Sequence, residues 1–201
     1  MLQQGRGQVD GRTARAMRTR EAIVDAAIAL VEEGDIRPTA PRVAERAEVS
    51  VRSVFQHFDD LESLYAAVAD GLLERVAGLV STIDATAPLP ARIERFVAQR
   101  ARLLEAITPI RRAANVHAPF SPEITERLRS GHEFFTSEVE QAFSPELDRL
   151  QEPERGELLD ALAVTASWSS WETLRVLDGS TQARARRVLE RALAALLAQV
   201  S

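Results

Sequence analysis

Two residue types are missing from this sequence of 201 residues, cysteine and lysine. Without cysteine the chain can form no disulfide, no thiolate nucleophile and no thiolate metal site. Without lysine it can form no Schiff base and cannot carry the phosphate-binding lysine of a P-loop. A chain without cysteine suits a reducing compartment, and we therefore expect it to be cytoplasmic.

Long apolar runs are also missing. The first twenty residues are polar and contain several arginines, so they do not have the pattern of a signal peptide, and no run of eighteen apolar residues occurs anywhere. We expect no contact with a membrane. The 45% apolar content is nevertheless enough for the core of one globular domain or of two small ones.

Residues for catalysis or metal binding are few. The chain has three histidines and no His-Glu-x-x-His motif, and no glutamate stands three residues before a histidine. The glutamates between positions 123 and 140 are explained better by a solvated helix face. We therefore expect neither an enzyme nor a bound metal or cofactor.

The positive charge is concentrated near the N-terminus, although the net charge of the chain is −5. Five arginines oppose a single acid, Asp10, in the first twenty positions: Arg6, Arg12, Arg15, Arg18 and Arg20. A guanidinium group pairs well with phosphate, so this segment can act as a basic arm on DNA, with Arg15 and Arg18 as its contacts. The exclusive use of arginine also fits a genomic base bias.

Apolar residues recur at steps of three and four along most of the chain, which predicts an all-α protein of about nine helices. We expect a flexible tail over residues 1–12, a first helical domain over 13–60, to which the motif described next belongs, and a second helical domain over 61–201. Prolines and glycines mark the ends of the elements. The predicted helices span 13–34, 39–47, 50–58, 60–83, 90–107, a short segment between Pro109 and Pro119, 122–143, 153–178 and 181–200.

Residues 39–58 have the pattern of a helix-turn-helix. Such a motif needs a small residue where its two helices cross, a tight turn, and a polar face on the second helix. Ala44 is the small residue, Glu48 and Val49 form the turn, and Ser50 begins a helix whose polar side carries Arg52 and Gln56. Arginine can pair with guanine and glutamine with adenine, and the alternative is that both are merely solvated.

The spaced pattern from helix one through Thr39 to Phe58 and on to Leu64-Tyr65 resembles the tetracycline-repressor (TetR) family. The resemblance implies a three-helix DNA-binding head, a dimer and a palindromic double-stranded operator. By position it also implies contacts to phosphate from Thr39 and Arg42, and to bases from the face of the second helix. The expected DNA-binding residues on and around that helix are Ser50, Val51, Arg52, Ser53, Phe55, Gln56 and His57.

Three positions depart from the family pattern. Glu48 stands where glycine is usual, so we expect a left-handed or distorted residue there. Phe55 replaces the usual tyrosine, and Leu61 stands where a phosphate-binding lysine is common, so two contacts to the DNA backbone are lost.

The formal charge is only +1 over residues 1–58, from nine arginines and eight acids. We therefore expect a shallow salt dependence of DNA binding.

The last two predicted helices are the expected homodimer interface. They combine small side chains with an apolar surface wider than one contact needs, and two such helices from each subunit would form a four-helix interface. The alternative is that these residues form a purely internal core. The interface residues that we expect are Ala166, Ser170, Leu189, Leu193 and Leu196.

A small-molecule effector pocket among the middle helices is implied by the resemblance, although ordinary core packing also explains its candidates. These candidates combine aromatic bulk with a few polar groups: His117, Phe120, His132, Phe135, Trp168, Trp171 and Glu172. The predicted function is that of a DNA-binding regulator, a repressor that its effector releases from the operator. The alternative is a helical binding module for a ligand or a protein, whose head has lost specific DNA binding.

Overall fold

A computed structural model describes residues 11–200, apart from the side chain of Arg12. No strand occurs in that range, so the predicted all-α class is confirmed. The predicted tail, with Arg6, lies outside the described residues except at Gly11 and Arg12, where the first helix has already begun. The helices are α1 Gly11–Glu32, α2 Ala40–Arg46, α3 Val51–His57, α4 Leu61–Val76, α5 Leu89–His117, α6 Pro122–Ala142, α7 Ser144–Leu147, α8 Glu154–Thr165, α9 Trp168–Glu172 and α10 Gln182–Leu197.

The first three helices, which we call the head, end and begin at the residues that their sequence favours. Gly34 follows α1 with a φ of +98°, and the amide of Asp35 donates to the carbonyl of Leu30 at 3.0 Å. This left-handed glycine is the predicted end of the first helix. Thr39 precedes α2 in extended conformation and Pro41 lies in the first turn, where a missing amide donor costs little.

Helix α5 is continuous through Pro109, so the predicted break there is wrong. Proline costs about 3 kcal/mol inside a helix because it lacks the amide donor and crowds the preceding turn. The burial of both halves of α5 against α1, α4, α6 and α10 outweighs that cost. The hydroxyl of Thr108 donates to the carbonyl of Leu104 at 2.7 Å, and the indole of Trp168 donates to that hydroxyl at 3.1 Å.

The predicted helix over 153–178 is two helices, because serines stop the first and begin the second. The Ser170 hydroxyl donates to the carbonyl of Val164 at 2.7 Å, and the Ser170 amide donates to the Ser167 hydroxyl at 3.2 Å. These bonds satisfy backbone groups at both ends of the break. A π-helical turn, Thr173–Leu177, then leads toward α10.

Two further differences concern helix length. Helix α4 stops at Val76 rather than near Ile83 and continues as a 3-10 turn, Ala77–Leu79, around Gly78. Glycine weakens a helix at this point because of its backbone entropy. The short α7 was not predicted at all.

Within residues 11–200 no helix is both long and apolar enough to cross a membrane.

The hydrophobic core runs without interruption from the head into the remaining helices, which we call the body. It includes Ile23 in α1, Leu64 in α4, Leu104 in α5 and Leu193 in α10, all of them fully buried. The placement of the head therefore depends on side chains of α4 and α5, and a change in that packing can reach α3.

A buried ion pair closes one end of the body. The Arg92 guanidinium donates to both carboxylate oxygens of Glu146, at 2.5 and 2.8 Å, and to the backbone carbonyls of Ala142 and Ala87. Both side chains are almost completely buried. Since the guanidinium joins the start of α5 to the end of α6 and to α7, the pair fixes how these elements meet.

Glu146→Gln should lower the free energy of unfolding by about 3–5 kcal/mol, because it leaves the buried charge of Arg92 without its counter-ion. Urea denaturation at a fixed protein concentration measures this loss. Glu126→Gln is the control, since the Arg129–Glu126 pair is exposed on both sides and should leave the midpoint nearly unchanged. Equal midpoints for the two variants would contradict a structural role for the buried pair.

Candidate DNA interface and ligand cavity

The turn between α2 and α3 has the strained residue that the sequence predicts. Glu48 has a φ of +54°, which is left-handed and costs a residue with a Cβ about 1 kcal/mol. The backbone offsets this cost, because the amide of Glu48 donates to Glu45 and that of Val49 donates to Ala44, at 3.2 and 2.9 Å. The turn is therefore closed without glycine.

Helix α3 has one buried and one exposed side. Ser50 caps it by accepting the amide of Ser53 at 3.1 Å, and Val54 points into the head core. Arg52 and Gln56 are exposed, and within residues 11–200 neither side chain forms a hydrogen bond or an ion pair. Both are therefore available to a base edge. Of the other predicted contacts on α3, Val51 and Phe55 are exposed, and Ser53 and His57 are partly buried.

The predicted phosphate contacts differ in how available they are. Thr39 is exposed, and its side chain makes no capping bond with α2. Arg42, in contrast, pairs with Asp35 at 2.5 Å. Arg46 likewise pairs with Glu33 at 2.6 Å. A phosphate must compete with these carboxylates, so the head offers less positive charge than a count of its arginines suggests.

The first helix supplies the other cations of this face. Arg15 and Arg18 are exposed on α1, and the guanidinium of Arg20 lies 4.9 Å from the ring centre of Phe58. Asp60 does not stand free, because its carboxylate accepts the amide of Ser63 at 2.8 Å as the cap of α4. A carboxylate held at a helix N-terminus is partly compensated by the helix dipole.

A cavity of about 540 Å³ lies between α4, α5 and α6. This volume is that of a pocket for a drug-sized molecule. Aliphatic and phenyl side chains form most of its wall, and four residues add polar groups. These four are Tyr65, Arg111, His117 and Arg127.

Two of the seven predicted effector-pocket residues, His117 and Phe135, line this cavity. Phe120 is 82% exposed, and His132 also lies on the surface. Side chains on the surface cannot enclose a ligand, so these two predictions are wrong for this cavity.

The remaining three candidates lie on α9, behind α5, and do not line the cavity. Trp171 is buried and donates its indole N–H to Glu105 at 3.2 Å. Glu172 accepts two bonds from Arg112. Trp168 packs against Arg111 and so contacts the cavity wall from outside. The sequence showed aromatic residues at helical spacing, but not which side of α5 they occupy.

Sequence reasoning missed Tyr65, Arg111 and most of the aliphatic wall. One signal was present, because Arg111 stands four residues after Ile107 and three before Ala114, on the apolar stripe of α5. A charged residue on a buried stripe is unusual and marks a position with a special role.

Tyr65 and His117 join the cavity wall to the connection between α1 and α2. The Tyr65 hydroxyl donates to the carbonyl of Pro38 at 2.9 Å, and its ring centre lies 4.5 Å from that of His117. The backbone of Ile36 interacts with the His117 ring and partly offsets the fall in its pKa. The cavity therefore shares two side chains with the segment that precedes the helix-turn-helix.

Burial shifts the protonation of both side chains toward the neutral form. Loss of solvent, followed by the charge of Arg37, lowers the pKa of His117. Loss of solvent also raises the pKa of Tyr65. The Nε2 atom of His117 is buried and has no partner among residues 11–200. It thus remains available to a ligand.

Three of the five predicted interface residues lie inside the chain rather than on its surface. Ala166, Leu189 and Leu193 are completely or almost completely buried within one copy, so they cannot contact a partner. For these three the alternative of an internal core is correct. Ser170 and Leu196 are partly exposed. The large apolar side chains that are exposed on α8 and α10 are Val164 and Val188.

Comparison with known proteins places these features in a family. Residues 23–68 match the family of bacterial regulatory proteins described as the tetR family. A TetR family transcriptional regulator from Pseudomonas syringae pv. tomato is similar in structure, with a TM-score of 0.61 and 26% identity over 89% of this chain and 95% of its own. No protein of curated function matches the sequence.

Two further solved structures are similar to the fold over most of its length. A tetR-family transcriptional regulator from Streptomyces coelicolor has a TM-score of 0.72 and 17% identity over 92% of this chain and 82% of its own. A TetR transcription regulator from Haloarcula marismortui has a TM-score of 0.68 and 18% identity over 92% and 98%. Residues 23–68 thus match the tetR family of bacterial regulatory proteins, and the chain as a whole shares the all-helical fold of these solved regulators.

Proposed function

We propose that the chain is a homodimeric transcriptional repressor that a small molecule, bound in the cavity between α4, α5 and α6, releases from a palindromic operator. The tetR-family fold implies a DNA-binding regulator. One observation carries the proposal beyond this. Tyr65 and His117 both line the cavity, Tyr65 donates to the carbonyl of Pro38, and the two rings stack beside the segment that leads into α2. A ligand that displaces these rings therefore also displaces that segment.

Operator recognition rests on α3. Its exposed Arg52 and Gln56 suit guanine and adenine, which they can bind through paired hydrogen bonds in the major groove. Since Arg42 and Arg46 are engaged with carboxylates, these base contacts and the arginines of α1 carry much of the affinity.

A second copy of the chain is the partner that a palindrome requires. An isologous pair places two identical recognition helices about one turn of DNA apart, roughly 34–36 Å. Helices α8 and α10 pack together and leave Val164 and Val188 exposed on their outer side. Two such helix pairs would bury these valines in a four-helix contact.

Release requires that the ligand binds one head position better than the other. A ligand that enters beside Tyr65 and His117 disturbs the bond from Tyr65 to Pro38 and so shifts α3 relative to α3 of the second copy. Ligand binding then lowers the affinity for DNA, and by linkage the operator lowers the affinity for the ligand by the same factor.

Arg52→Ala should weaken binding to the preferred operator about 30- to 25,000-fold, because the homodimer loses a paired base contact of roughly 1–3 kcal/mol in each of the two half-sites. Duplexes selected from a random pool by the wild-type protein provide that operator, and gel shifts measure the affinity. Arg129→Ala, on the body surface, is the matched control and should bind normally. If wild-type protein retards no selected duplex at low salt, the head has lost specific binding and the repressor proposal fails.

The double variant Arg15→Gln/Arg18→Gln should flatten the salt dependence of DNA binding. Each phosphate contact contributes about 0.9 to the slope of log K against log salt concentration, and the homodimer carries both arginines twice, so the slope should fall by about 3.6. Glutamine keeps the helical propensity of α1. An unchanged slope would show that these arginines do not contact phosphate.

Val164→Glu should convert the dimer to a monomer. The Val164 side chain is 63% exposed on α8 within one copy, and burying a carboxylate there against the α8 of a second copy is unfavourable. Light scattering after gel filtration should give the mass of one 22.1 kDa chain. Ile36→Glu, an exposed apolar residue of the head, is the control and should stay dimeric. A Val164→Glu protein with an unchanged dimer mass would rule out this surface.

A further inference from the structure

We propose that the ligand of the cavity is a hydrophobic anion, with an apolar body and one negatively charged group that pairs with Arg111. The inference deepens the proposed function, since it rests on the cavity being the effector site. The chemical class of that effector follows from Arg111, the charged residue of the cavity wall that has no ionic partner among residues 11–200.

Arg111 has no counter-ion. Within residues 11–200 its guanidinium forms no ion pair and no hydrogen bond, and its Nε atom is buried without a partner. Loss of solvent lowers its pKa, and no carboxylate opposes that shift. A partly buried cation without a partner is unfavourable, and an anion that reaches it recovers the lost interaction.

The neighbouring arginines differ in this respect. Arg112, the next residue of α5, binds both carboxylate oxygens of Glu172. Arg127, which also lines the cavity, pairs with Asp70 and with Glu123. Their charges are satisfied within the chain. Of the two arginines in the cavity wall, only Arg111 is left to a ligand.

Surrounding groups restrict where the partner of Arg111 can stand. The guanidinium lies 5.8 Å from the ring centre of Trp168. The Nη1 atom of Arg111 lies 3.9 Å from the position that a Cβ on Gly131 would occupy. Helix α6 therefore covers a second side of the guanidinium. The cavity is the open side. A carboxylate or sulfonate in it can accept two bonds from the planar guanidinium.

The rest of the wall selects against other ligand classes. Among the described residues that line the cavity none is acidic, so a cation would meet the unpaired charge of Arg111 and no carboxylate in the wall. A neutral ligand would fill the space but leave Arg111 unpaired. The aliphatic and phenyl side chains favour a large apolar body, which contributes about 25 cal/mol for each Å² removed from water.

Calorimetry on the full-length protein with two matched probe pairs tests the proposal. The pairs are decanoate with decanol, and 2-naphthaleneacetate with 2-naphthaleneethanol, which differ within each pair only in the charged end group. We expect the acid of at least one pair to bind ten times or more tightly than its alcohol. Decylamine, with the opposite charge, should bind more weakly than decanol.

Variants of adjacent residues assign that preference to one side chain. Arg111→Met should reduce the affinity for the acid at least tenfold and change that for the alcohol less than threefold. Arg112→Met removes the same charge one residue away, outside the cavity wall, and should keep the preference. Thermal melts and gel shifts with the selected operator establish that both variants fold.

The outcomes separate this inference from the proposed function. If neither pair favours the acid, or if Arg111→Met keeps the preference, the inference is overturned, whatever the protein does with DNA. If the acid binds through Arg111 but does not weaken operator binding, the ligand class stands and the proposed release mechanism fails. Tight acid binding that is lost in Arg111→Met and also releases DNA supports both.

Discussion

The burial of α5 from Leu89 to His117 is the constraint on which the other elements depend. This helix packs against α1, α4, α6, α9 and α10, carries Arg92 at one end, and ends with His117 beside the head. A break at Pro109 would separate the two ends. The helix stays continuous because the apolar contacts on both sides of the proline outweigh one missing backbone bond and the steric crowding of its ring.

The same helix carries both a wall of the cavity and the contact between the cavity and the head. Its apolar stripe forms a wall of the cavity, with Arg111 inside that stripe, and its last residue, His117, packs against Tyr65, which donates to the backbone of Pro38. A ligand that pairs with Arg111 therefore acts on a helix whose end touches the connection to α2. Because the core is continuous from head to body, no flexible linker absorbs a movement between them.

The head has little spare positive charge, and its geometry shows where that charge goes. Asp35 and Glu33 hold Arg42 and Arg46, whereas Arg52 is exposed on α3 and has no ionic partner among residues 11–200. In the proposed complex with DNA, such a head gains less from general phosphate attraction and more from contacts to specific bases. Backbone hydrogen bonds alone close the turn around the left-handed residue Glu48.

The sequence by itself determined the helical class, the helix-turn-helix with its cap at Ser50, the strained position at Glu48 and the glycine at the end of α1. Each of these depends on neighbouring residues, through helical periodicity, capping chemistry or the conformation that a turn requires. Only the tertiary structure decided that α5 passes through Pro109, that Leu189 and Leu193 are buried within one chain, and that Arg111 rather than Trp171 or Glu172 lines the cavity. These features depend on which elements cover each side of a helix, and residues far apart in the chain supply that cover.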